Sequence, residues 1–153
     1  MIRVLALLLS LSVPASALAQ PLRPVQLGRF AEFLDLGSVT RDGDAASFRY
    51  LMVVAEDFEA GGEQFWGGWS SMTIDCRART ADLTGFQSVR VGGTEGPKTV
   101  DGQPGWPIAP ASLEAALADV ACEEKRPLEK PDAGSAAEAV RFGRAWLEDA
   151  SAP

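Results

Sequence analysis

The chain carries only two cysteines, Cys76 and Cys122, and this pair limits what it can fold into more than any other feature. Two thiols allow one pairing, and whether they pair depends on the compartment. The amino-terminal residues speak to that. Arg3 supplies a short positive start, residues 4–13 form a leucine-rich apolar run, Pro14 breaks it, and Ala17-Leu18-Ala19 has the small-x-small form of a cleavage signal. Residues 1–19 therefore read as a secretory signal peptide cut after Ala19, with an apolar run too short to span a bilayer. No cysteine follows the run to carry a lipid, and no second stretch of spanning length follows. The expected location is periplasmic or secreted, where Cys76 and Cys122 are expected to form a disulfide. Closing a loop of about 46 residues contributes roughly 4 kcal/mol on the chain-entropy model, against the ~5–15 kcal/mol that holds a whole domain together. A redox or metal-binding pair is disfavoured, because there is no Cys-x-x-Cys spacing and no histidine.

The cysteines also sit in segments of different period. Residues 20–27, with Pro21 and Pro24, read as an extended lead-in, and residues 30–36 fit a first strand broken by Glu32 and Asp35. Residues 38–41 continue it to Asp42-Gly43-Asp44, a hairpin signal because glycine supplies the positive φ of a tight turn. In residues 47–56 both parities are largely apolar, which predicts a central strand covered on both faces. Residues 57–64 read as an acidic connection around Gly61-Gly62. Residues 65–80 alternate: Trp66, Met72, Ile74 and Cys76 share the apolar parity, while Trp69, Ser71, Thr73 and Asp75 share the wetter one. Gly67-Gly68 marks a bulge that would reset the parity of Trp66. A short strand follows at 86–91, then a glycine- and proline-rich loop over 92–107 with a short strand near 98–101. Leu113, Ala116, Leu117 and Val120 recur at helical spacing in a helix over 110–122 that begins with Pro110 and ends at Cys122. Residues 123–134 read as a linker and 135–150 as a second helix. The predicted fold is α+β: an antiparallel β-sheet meander with a C-terminal helix packed on one face and tied by a disulfide. The predicted domain runs over 28–123, with 124–153 a linker and short C-terminal helix or tail.

Composition removes several activities. A chain with a formal charge of −7 is a poor partner for nucleic acid, whose binding rests on neutralising phosphates. Without histidine there is no Ser-His-Asp triad, and Ser70 and Ser71 have no neighbouring base. Residues 92–99 nearly spell a phosphate-binding loop, but Pro97 stands where the second glycine is required and has no N–H to give. Glu56, Asp57, Glu59 and Glu63 could offer oxygen ligands to Ca²⁺ but lack EF-hand spacing, and a solvated hairpin tip is the simpler reading. No catalytic residue, metal or cofactor is expected. Aromatic residues favour both cores and binding surfaces; Trp66 and Trp106 are expected in the core, while Trp69, on the wetter parity, is the one candidate binding residue.

The order of features resembles the surface-adhesin protein E-like family of bacterial envelope proteins. Leu34-Asp35-Leu36-Gly37-Ser38-Val39 leads into the Asp42-Gly43 turn, an aromatic strand and then Thr73-Ile74-Asp75-Cys76 follow, and a late tryptophan precedes Ile108-Ala109-Pro110-Ala111-Ser112 and the helix ending in Val120-Ala121-Cys122. The resemblance covers roughly residues 28–123. It implies an antiparallel sheet with a disulfide-tied helix, and an exported, non-catalytic binding or adhesion module whose partner is a protein or envelope component. The chain departs from the lipid-anchored namesake in lacking a lipid-modified cysteine and in extending well past Cys122. Two other functions fit the same pattern: a small-ligand carrier or weak hydrolase using an open sheet face, and a structural envelope protein that self-associates through exposed strand edges.

Overall fold

The structure is a computed structural model that describes residues 21–123 and 125–152; the expected signal peptide, residues 1–19, lies outside the described residues. Eight strands form one antiparallel sheet. They are β1 (Leu22–Leu27), β2 (Ala31–Asp35), β3 (Thr40–Asp42), β4 (Ala45–Ala60), β5 (Glu63–Asp75), β6 (Thr80–Arg90), β7 (Thr99–Val100) and β8 (Trp106–Pro107), followed by helices α1 (Leu113–Glu123) and α2 (Ala136–Ser151). The order across the sheet is β1-β2-β4-β5-β6-β7, with β3 also on β4 and β8 also on β6.

Alternation along the strands makes two cores, one on each face. On one face Leu34, Phe48, Tyr50, Met72 and Ile74 pack under Leu117, Ala118, Val120 and Ala121 of α1. On the other, Phe33, Leu51, Val53 and Trp69 pack under Ala139, Val140 and Leu147 of α2. Strand β4 supplies both cores from its two parities, so the central strand is covered on both sides, as its sequence predicts. The disulfide is present: Cys76, just past β5, joins Cys122 of α1, with Cα atoms 5.8 Å apart. Both cysteines pack against the α1-side core, the face the Met72-Ile74-Cys76 parity indicates.

Several boundaries differ from expectation, each for a physical reason. The lead-in is a strand: residues 22–27 pair with β2, with Leu22 buried in the α2-side core and Val25 in the α1-side core. Proline is tolerated there because β1 is an edge strand. The stretch expected as one strand over 65–80 is a strand and a turn. The Asp75 carboxylate accepts from the N–H groups of Arg77 and Ala78, and Arg79 adopts a positive φ of 56°, so the chain reverses and β6 begins at Thr80. Helix α1 starts at Leu113, not Pro110, since Ser112 Oγ accepts from the Ala115 N–H as an N-cap. The residues after Cys122 are not a separate tail. Ala133 exchanges both backbone hydrogen bonds with Leu22, and Ser135 caps α2 by accepting from the Glu138 N–H before the helix lies across the sheet.

The bulge signalled by Gly67-Gly68 is real, with the β5–β6 register shifting between Phe65 and Gly67. Gly67 has φ +145°, and a Cβ there would stand 1.9 Å from the Met52 carbonyl oxygen, so only glycine fits.

Candidate functional site

Trp69, the sequence's binding candidate, is 4% exposed and belongs to the α2-side core. Its parity reads as wet because its neighbours Ser71 and Thr73 are polar and only partly buried. The side chain that finishes covering it is Arg49, whose guanidinium stacks 4.2 Å from the indole centroid. Arg49 Nε donates to Asp35 Oδ2 at 2.9 Å and Nη1 to Glu95 Oε1 at 3.2 Å. Asp35 is 1% exposed and also accepts from the Gly37 N–H, so its charge is doubly compensated. Trp69 and Arg49 are therefore structural in this conformation. Trp66 and Trp106 are partly buried against the α2-side and α1-side cores respectively.

The acidic residues 56–63 do not converge. Strands β4 and β5 run on past the main sheet as a two-stranded arm, pairing Phe58 with Phe65 and Ala60 with Glu63 around the Gly61-Gly62 turn. Asp57 is drawn to Arg144 of α2 at 2.6 Å, and Glu63 to Arg90 of β6. No group of three or more His, Cys, Asp or Glu able to hold a metal ion occurs among the described residues. The phosphate-loop-like segment leads into β7 instead of a helix, and Glu95 in it is tied to Arg49.

What remains outside the two cores is an apolar margin. The large exposed hydrophobic residues are Phe58 on the arm, Phe86 on β6, Val91 just past it and Val100 on β7. Phe58 stacks on Phe65 with centroids 5.3 Å apart, and Arg90 lies over the Phe65 ring. Phe86 lies over Gly68, where a Cβ would be 2.3 Å from the ring. Beyond β6 the sheet is finished by β7 and β8, of two residues each, and by residues 94–96, where Gly96 N–H donates to the Ser88 carbonyl and Arg90 N–H to the Thr94 carbonyl. Sequence reading missed this margin because Phe86 and Phe58 look like core residues until the neighbouring strands are placed.

Two shallow clefts flank the sheet. One of about 460 Å³ lies between Arg23, Leu36, Val39 and Arg41 and the carboxyl end of α1 at Val120 and Ala121. Arg41 there donates to the Ala121 carbonyl and Arg23 pairs with Asp132. The other, about 400 Å³, is lined by polar residues at the β4–β5–β6 ends, including Thr73, Asp75, Thr80 and Asp82. Neither brings a nucleophile to a base.

The described residues thus define a class: a disulfide-tied antiparallel sheet with one helix on each face. No helix among them is long and apolar enough to cross a membrane. Haemophilus influenzae protein E has this fold. In its crystal form II the chains are 11% identical, with a TM-score of 0.53, over 76% of this chain and 98% of that one. A second structure of protein E gives 10% identity and a TM-score of 0.53 over 78% and 96%. No protein-family model and no curated protein matches the chain. The likeness to protein E is one of fold, and the disulfide agrees with a place outside the cytoplasm.

Proposed function

We propose that the protein is an exported, non-catalytic binding module of the bacterial envelope, of the adhesion type, that engages a protein or envelope component through the margin formed by β6, β7 and the β4–β5 arm. The observation that carries this reading is the exposure of Phe58, Phe86, Val91 and Val100 on the β4–β5 arm, on and just past β6 and on β7, while both helices lie over cores elsewhere. Exposed large apolar residues are the usual material of a protein-binding surface. The protein E fold and the sequence resemblance support the same reading, and the signal-like residues 1–19 support export. Neither cleft brings a nucleophile to a base, which favours binding over a weak hydrolase.

The test is retention of envelope components on the immobilised mature protein. Saturable retention should be lost in a Phe86→Ser, Val100→Ser double variant, whose side chains carry no core packing. No saturable retention, or equal retention by the variant, would refute the reading. The same margin also suits a second copy of the chain. Static light scattering separates that possibility, because self-association would appear as mass rising with concentration and falling in the double variant.

A further inference from the structure

Among the described residues, one buried side-chain polar atom has no hydrogen-bond partner: Oε2 of Glu32. The residue is 6% exposed. It sits on β2 with its side chain on the α1 face, between Gln26 of β1 and Met52 of β4. A native structure rarely leaves a buried carboxylate oxygen unpaired, because its desolvation goes uncompensated.

The groups near it on the adjoining strands are neutral: from β4 the Tyr50 phenol, and from β5 the Ser70 hydroxyl that bonds to it. Burial raises the Tyr50 pKa above its ordinary value; the Ser70 hydrogen bond opposes this, and the charges of Glu114 and Glu32 add to the rise. The cation β1 offers on this face, Arg23, is paired with Asp132 and lies in the cleft at the other end of α1. Burial pushes the Glu32 carboxyl up from its ordinary 4.5 to about 7, against a hydrogen bond with its own backbone.

We propose that Glu32 is a proton-operated latch on the α1-bearing face: as the neutral acid it lets β1, β2 and β4 close together, and as the carboxylate it loosens them. Gln26 of β1 and Met52 of β4 are its cross-strand neighbours, so the β1–β2 and β2–β4 pairings are what an uncompensated charge at Glu32 disturbs. The neutral acid can also donate a hydrogen bond, which the carboxylate cannot.

The sign follows from linkage. A carboxyl that holds its proton more tightly when folded favours the fold at low pH. The stabilisation is complete below about 4.5 and drains away as pH rises through about 7. Between pH 5 and 8 the folding equilibrium constant should fall by about 70-fold through this group alone. The chain has no histidine to titrate across the same range. Use of the latch by an exported protein rests on the reading above; its existence does not.

The experiment follows the Glu32 side-chain carbon by NMR in the folded wild type, together with urea unfolding and amide exchange from pH 5 to 8. We expect a Glu32 midpoint near 7, a fall in stability of several tens-fold across the range, and lower protection factors, with the intrinsic pH dependence of exchange divided out, in residues 22–27 and 31–35 at the high end. Glu32→Gln should remove the pH dependence. A Glu32 midpoint near 4.5 overturns the proposal, as does an equal stability loss in Glu32→Gln. Should that variant fail to fold, the wild-type titration decides alone.

Discussion

Gly143 offers a test in which the sign of one substitution reports whether α2 is docked on the sheet. It lies in the middle of α2, a place where glycine costs about 0.8–1.0 kcal/mol relative to alanine in a free helix. On an undocked helix, Gly143→Ala would therefore stabilise. In the structure, a Cβ at 143 would stand 2.8 Å from the Cβ of Ala31 and 3.2 Å from the Phe33 ring. Both neighbours belong to β2 and are fully buried, and the Ala31 Cβ is fixed to the backbone with no torsion to relieve the contact. Overpacking of this kind costs about 1–3 kcal/mol. The clash outweighs the propensity gain, and we expect Gly143→Ala to lower stability by about 1 kcal/mol, or roughly 4 °C in Tm for a domain of this size.

Urea and thermal unfolding followed by circular dichroism would measure it. The partner substitution sharpens the result. Ala31→Gly removes the facing methyl, so it should cost less in the Gly143→Ala background than alone, with a coupling energy of about 1 kcal/mol. A rise in Tm for Gly143→Ala, or additive effects of the two changes, would refute close packing of α2 on β2.

Three further outcomes follow from the same structure. Replacing Cys76 and Cys122 with serine should lower the unfolding free energy by up to ~4 kcal/mol, read as a fall in the urea midpoint at unchanged spectroscopic signal. Arg49→Met should cost about 3 kcal/mol in chemical denaturation, because it strips the buried Asp35 of its ion pair, and Arg49→Lys should recover only part of this because it cannot both stack on Trp69 and fork to two carboxylates. Gly67→Ala should cost at least ~3 kcal/mol or prevent folding, since its Cβ would meet the Met52 carbonyl and its φ is left to glycine, whereas Gly102→Ala, with open space around it, should be neutral in the same assay.

How far the sequence carries depends on the range of the interaction that decides each feature. The Asp42-Gly43 hairpin, the double-faced β4, the bulge at Gly67 and the Leu113-to-Val120 stripe are set by neighbours within a few residues, and each was legible. The pairing of Cys76 with Cys122 was legible at long range only because two thiols permit one answer. Strand β1 was hidden because its buried character comes from the cores under both helices and from Ala133, over a hundred residues away, which no local pattern can show. Trp69 misled for a related reason. Parity assigns a side chain to a face, but cover depends on what packs over that part of the face, and Trp69 is covered by the α2-side core and by Arg49. Glu32 is the sharper case. In the sequence it interrupts an apolar run just as Asp35 does, three residues on. Only the fold separates them: Asp35 meets Arg49 from β4, while Glu32 meets a methionine, a glutamine and a phenol. Two acidic residues that read alike thus differ in kind, one an ion-pair anchor and the other an uncompensated group. The second is where a fold that satisfies its other buried side chains has left room for a proton to matter.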